Sequence, residues 1–240
     1  MLTKTRAIVL HSFKYGDTKL IVDLLTAETG RVHCIATASK TSKGRLKRQF
    51  FQPLSLLEVV VDLRQGASLQ VIKDARVAHP FVSIPFSPLK LSLAMFTAEF
   101  VAAATRGELH DEALYSYIEN SVVWLDECDD KYSNFHLVFA MRLTKFLGFY
   151  PNTEHYVEGD WFDLRSGCFA GHAPVHRDSL PPAEARLIGL MLRMNFPTMH
   201  LYRMSRDERN RLLETILAYY RIHLPGFKEL KSVDVLRELF

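Results

Sequence analysis

The sequence predicts an α+β protein, a small β-barrel followed by a bundle of helices. Three observations carry this. Residues 5–78 hold five short runs rich in β-branched side chains, separated by turn chemistry. The run His79–Pro88, "HPFVSIPFSP", then packs three prolines into ten residues and breaks the pattern. Beyond it, apolar residues recur at helical spacing almost to the end. The chain has 240 residues, 48% of them apolar, enough for one large domain or two small ones with real cores. The expected division is a barrel over residues 1–79 and a helical domain over 80–240, with an irregular insertion at about 150–178.

The strands follow in order. "RAIVLHSF" and "KLIVDLL" are joined by "YGDT", and "TAETG" leads into a third strand, "RVHCIATA". A basic stretch comes next, then "LSLLEVVVDLR", the turn "QGAS" and a fifth strand, "LQVIKDARVAH". Five strands in about 75 residues fit the oligonucleotide-binding (OB) barrel, the five-stranded member of the small closed architectures. Ser87-Pro88 reads as an N-cap followed by Pro at the first helical position. The helix after it, "LKLSLAMFTAEFVAAAT", is apolar almost all round and belongs in a core. "DEALYSYIENSVVWLDE" and "SNFHLVFAMRLTKFLGF" are two more helices, the latter closed by Gly148. "PPAEARLIGLMLRM" resumes helix after the insertion. Ser205 and Glu208 have capping-box spacing at the start of a long helix, and "SVDVLREL" forms a short last one.

The usual catalytic signatures are absent. There is no G-x-x-x-x-G-K-[ST] phosphate loop, no G-x-S-x-G elbow and no H-E-x-x-H helix. The acids read as solvated charges on helix faces, and Cys34 reads as a small core residue. No enzyme and no cofactor are expected. The three cysteines are scattered, which suits a reducing cytosol, and neither a signal peptide nor a membrane span is evident. His155, Glu158, Cys168, His172 and His176 make one potential metal cluster. Structural zinc sites usually carry at least two closely spaced thiolates, so a single cysteine argues for an irregular loop with incidental histidines.

A net charge of only +3 does not announce a nucleic-acid binder, so a local patch has to make that case. "SKTSKGRLKR", Ser39–Arg48, holds Lys40, Lys43, Arg45, Lys47 and Arg48 and no acid; indeed no Asp or Glu occurs between Glu28 and Glu58. Lys14 and Lys19 flank the first turn and Arg64 the last. Tyr15, Phe50 and Phe51 offer stacking surfaces, with at least one of the two phenylalanines facing inward because neighbouring strand residues alternate sides. A solvated basic loop is the alternative reading of this stretch.

At this point the order of motifs resembles the RecO family of bacterial recombination mediators. The matching segment runs "VLHSFKYGDTKLIVDLLTAETGRVHCIATASKTSKGRLKRQFFQPLSLLEV". It contains the Tyr15-Gly16-Asp17 turn, the Thr26 to Gly30 turn, the basic connection and Gln52-Pro53. "LTKFLGFYPN", with Gly148, Phe149 and Pro151, and "FDLRSGCF", with Gly167, extend the resemblance into the second half. The resemblance implies an OB barrel plus a helical domain. It also implies binding of single- and double-stranded DNA, annealing of complementary strands, and cooperation with RecR in loading RecA onto DNA coated by single-stranded-DNA-binding protein (SSB). Many members carry two C-x-x-C pairs after the "GF-x-P" helix end. Here only Cys168 remains, so the insertion is expected to lack zinc and to be held by Trp161, Phe162 and Phe169. In the family context the SSB tail is acidic and ends in apolar residues. Its receptor is expected in the helical domain, with Arg142 and Lys145 as cations beside Leu137, Met141 and Phe146. An RNA-binding OB protein, or an adapter with an incidental basic loop, are the other functional readings.

Overall fold

The computed structural model describes residues 1–37, 46–106 and 110–240. The chain divides into two compact units, Met1–Glu127 and Cys128–Phe240. The first holds a closed barrel of β1 (Leu2–Tyr15), β2 (Lys19–Thr26), β3 (Gly30–Thr37), β4 (Leu56–Asp62) and β5 (Gln70–His79), in the order β1-β2-β3-β5-β4. All neighbours are antiparallel except β3 and β5, whose short parallel pairing at Cys34–Gln70 and Ile35–Val71 closes the barrel. Each expected strand is present. The hairpin after β2 is set by Thr26, whose hydroxyl donates to the Gly30 carbonyl at 2.7 Å.

The barrel interior is filled by small and branched residues, among them Ala7, Val9, Val22, Cys34, Val59 and Ile72. Burial, with a smaller contribution from Asp23, pushes the Cys34 thiol up to about 12, so it is a packing residue and no nucleophile at neutral pH. Two helices complete this unit, α1 (Pro88–Ala104) and α2 (Glu112–Glu127). Ser87 caps α1 by accepting from the Lys90 N–H, with Pro88 in the first turn, as its sequence requires. α1 packs against β1. Arg31 on β3 binds Asp23 through two nitrogens and donates to the Ala102 carbonyl in the last turn of α1 at 2.6 Å. That bond satisfies a carbonyl the helix itself leaves free.

Not every acid is a solvated helix-face charge, as the sequence suggested. Asp126, near the end of α2, is 1% exposed. Its carboxylate accepts the backbone N–H groups of Val82, Ser83 and Ile84 at 2.8, 2.9 and 2.9 Å. The Asp126 carbonyl accepts from the buried Lys90 ammonium at 3.1 Å. Burial raises the Asp126 carboxyl, but those three backbone donors outweigh it and hold it below the usual carboxylate range.

The second unit is built on α3 (Phe135–Leu143), α4 (Pro182–Arg193), α5 (Arg206–His223) and α6 (Ser232–Leu239). α3 is its buried element and packs on α4 and α5. The helix proper ends at Leu143, earlier than the periodicity implied, and the chain continues in tight turns to Gly148. Gly148 has φ +83, and the Phe149 N–H closes on the Thr144 carbonyl at 3.1 Å, the closure expected of a glycine-terminated helix. The capping box of Ser205 and Glu208 is formed as predicted.

The 150–178 interval is more ordered than expected. β6 (Trp161–Asp163) and β7 (Cys168–Ala170) form, with β8 (Ser179–Leu180), a three-stranded sheet ordered β7-β6-β8. Only short segments pair, so period-2 patterning was too brief to register. Aromatic packing joins the sheet to α5: Phe162 lies 5.0 Å from Phe169 and 6.2 Å from Tyr219, ring centre to ring centre. Gly167 turns the hairpin at φ +67, and a Cβ there would stand 2.5 Å from the Tyr219 hydroxyl.

His136 on α3 is 2% exposed, and burial, aided by the nearby Arg209 charge, pushes its imidazole down to about 3 from 6.5. The unfolded chain therefore binds a proton below pH 6.5 that the folded chain refuses. The contribution expected from His136 alone leaves stability complete above pH 6.5 and lowers it as the pH drops towards about 3, by about 1.4 kcal/mol per pH unit. We expect the unfolding free energy to decline between pH 6.5 and 5, above the carboxylate range, and His136→Gln to flatten that decline. A wild-type profile unchanged over this window would contradict the assignment.

Candidate nucleic-acid interface

β1 is long, and its two halves face different neighbours. Leu2–Ile8 pairs with β4, but beyond Ile8 that ladder stops. The Leu54 N–H bonds to the Val9 carbonyl at 2.7 Å, and Leu54 itself adopts the left-handed φ of +63 that turns the chain towards β4. On its other edge β1 slips by one residue against β2 between Val9 and His11. Leu10 is the extra residue of this bulge. A bulge inverts the alternation beyond it. Ala7 and Val9 point into the barrel core, whereas His11, Phe13 and Tyr15 are exposed. Phe13 is 50% and Tyr15 58% exposed.

Those rings stand on a continuous outer face. Phe13 is opposite Ile21 and Tyr15 opposite Lys19 on β2, which in turn pair with Ile35 and Thr37 on β3. Asp23 is the acid of this face, and Arg31 and His33 engage it at 2.5 and 3.3 Å. Its charge is compensated before any ligand arrives.

Cations edge the same region. Lys14, Lys19 and Arg48 are exposed and Lys47 half-buried, whereas Lys40, Lys43 and Arg45 lie outside the described residues. Lys47 and Arg48 lead into a short 3-10 turn, Arg48–Phe51. Ser12 donates its hydroxyl to the Phe51 carbonyl at 2.6 Å, fastening that turn to β1 between His11 and Phe13. Phe51 is fully buried in the barrel core, so it offers no stacking surface; Phe50 is half-buried, with the Lys47 ammonium 6.0 Å from its ring centre. Among the described residues, Lys14, Lys19, Lys47 and Arg48 take part in no ion pair. The β4–β5 face is the opposite case. Lys4 and Arg76 bind Glu58 at 2.9 and 2.5 Å, and Arg64 binds Asp62 at 3.0 Å. Hydrogen bonds from Lys4 and Arg76 hold the Glu58 carboxyl below its ordinary value. Arg64 thus spends its charge within the protein. The barrel sorts its cations: those of the β4–β5 face cluster on Glu58 and Asp62, whereas those nearer the exposed rings take part in no ion pair among the described residues.

In the second unit, the residues expected at a partner site have different fates. Arg142 donates through two nitrogens to the Met194 carbonyl at the end of α4, at 3.1 and 2.8 Å. Leu137 and Met141 are core residues. Lys145 is exposed and Phe146 half-buried. Cys168 donates to the Ser166 carbonyl, and His176 lies 3.4 Å from Asp163. Among the described residues, no three His, Cys, Asp or Glu side chains converge as metal ligands, and no helix is long and apolar enough to cross a membrane.

Residues 1–81 match the family description "Recombination protein O N terminal", and residues 85–233 match "Recombination protein O C terminal". The chain is 50% identical to a protein of Phocaeicola vulgatus named DNA repair protein RecO, over all of both chains. The chain belongs to the RecO family of DNA repair proteins. Proteins of the same name from Bacteroides fragilis and Porphyromonas gingivalis are 46% and 37% identical, again over the full length of each. Within this RecO-family barrel, Phe13 is the exposed ring of the candidate face that the sequence hid. Simple alternation from Ala7 and Val9 places it inside, and the bulge that turns it out carries no glycine to mark it.

Proposed function

We propose that this chain is a recombination mediator. In this reading it binds single- and double-stranded DNA without sequence preference, anneals complementary strands and, with RecR, assists RecA loading onto SSB-coated DNA. The observation that carries the proposal is the group of uncompensated cations beside the exposed outer face of β1–β3. Phosphate contacts of this kind release counterions and ignore sequence, as a protein working at damage anywhere in a genome requires. The barrel, residues 1–79, is assigned the DNA, and residues 80–240 the protein partners. The exposed Lys145 beside Phe146 is the point we assign to the acidic SSB tail.

Annealing of complementary oligonucleotides tests this. Without nucleotide, the protein should accelerate annealing of bare strands and of SSB-coated strands. Lys145→Glu should slow the coated reaction and leave the bare one unchanged. No acceleration on bare strands would refute the mediator reading. Equal rates on coated strands for Lys145→Glu and wild type would remove the tail site alone.

A further inference from the structure

Resting on the DNA-binding reading above, we propose that Phe13 and Tyr15 make the barrel selective for unpaired nucleobases. Single strands would then be held by ring stacking plus phosphate contacts, and duplexes by phosphate contacts alone.

Two exposed aromatic rings on one strand face are costly to leave in water, and here they come in register with a bulge. Without the slip at Leu10, Phe13 would share the inward side of Val9. The first half of the outer face of β1 is closed off: Ile8 and Leu10 are buried, and α1 packs against the strand. The second half carries the rings and is left open. Residues two apart on a strand are separated by about 6.7 Å, roughly twice the 3.4 Å repeat of stacked bases, so each ring has room for a base. In a duplex the base faces are already covered by their neighbours, and only an unpaired strand can offer them to a side chain.

The surroundings favour a polyanion over an apolar protein partner. Lys19 lies across from Tyr15, Arg48 begins the turn that the Ser12–Phe51 bond fastens to β1, and Asp23 is already neutralised by Arg31. A hydrophobic peptide would leave these cations desolvated and unpaired, whereas a nucleic-acid backbone supplies the missing charge.

Phe13→Ala and Tyr15→Ala test the inference, because both side chains are half exposed and neither fills the barrel core. Each should weaken binding to an oligo-dT strand by roughly 5- to 100-fold. A duplex of equal length should lose less than about twofold, because it makes no ring contact. The salt dependence of the remaining binding should be unchanged, since no phosphate contact is removed. Tyr15→Trp should retain single-strand affinity and show fluorescence quenching with the strand but not with the duplex. Equal losses on strand and duplex, or no loss on either, would overturn the selectivity while leaving DNA binding itself intact. Failure of the wild-type protein to bind either DNA would overturn both.

Discussion

Replacing Lys43, Arg45, Lys47 and Arg48 together by Ala should weaken single-strand binding by several hundred-fold at about 0.1 M salt, if each cation neutralises one phosphate. The reasoning is electrostatic. Each lost contact removes about 0.7 from the slope of log affinity against log salt, so four remove about 2.8. The loss should be the same for every base composition, because a phosphate contact carries no sequence information. Lys47 and Arg48 open the short turn that Ser12 of β1 fastens through the Phe51 carbonyl, and no acid in the sequence from Arg31 to Leu57 competes for them. Titrations at several salt concentrations, with the variant's fold confirmed by circular dichroism, give the answer. An unchanged slope would show that these side chains do not meet phosphates. The signature differs from that of the ring variants, which should shift affinity at constant slope. The two sets of residues can therefore be apportioned by experiment.

Asp126→Ala should destabilise the first unit by on the order of 4 kcal/mol. Three backbone N–H groups of the segment leading to α1 converge on this one carboxylate. Alanine leaves them without an acceptor beside the buried Lys90. Asp126→Asn keeps one acceptor oxygen and should cost about half as much. The carboxyl is held below 3.8 in the folded state, so its contribution is fully present above about pH 4 and is lost as the pH falls through its depressed value. The two tryptophans make the measurement specific, because Trp124 lies in the first unit and Trp161 in the second. Denaturant unfolding followed by Trp124 in a Trp161→Phe background should show the loss. A change below about 1 kcal/mol would mean that water satisfies the orphaned donors.

What was legible in the residues was local. Val, Ile and Leu alternation in β2 and β4, the Thr26–Gly30 turn, Ser87-Pro88 and the Ser205/Glu208 box each encode structure within a few residues, because their hydrogen bonds and side-chain periods close over that range. All of these elements formed where the residues placed them. The cation cluster was legible for the same reason, since charge adds along a chain whatever the fold.

Tertiary structure decided the rest. The composition change at His79–Pro88 marks where strands give way to helices, yet α1 and α2 share a compact unit with the barrel, since packing of α1 on β1 depends on surfaces that only folding creates. Asp126 has no sequence signature, because its three donors come from more than forty residues away. Arg142 looked like a free rim cation until α4 ended beside it with an unsatisfied carbonyl. The outward turn of Phe13 depends on one unpaired residue, Leu10, whose insertion against β2 is a property of two strands in register. Residue types thus determined which elements form and where charge collects. Only the register of β1 between its neighbours determined which aromatic rings reach the surface, because a one-residue slip inverts every side chain beyond it.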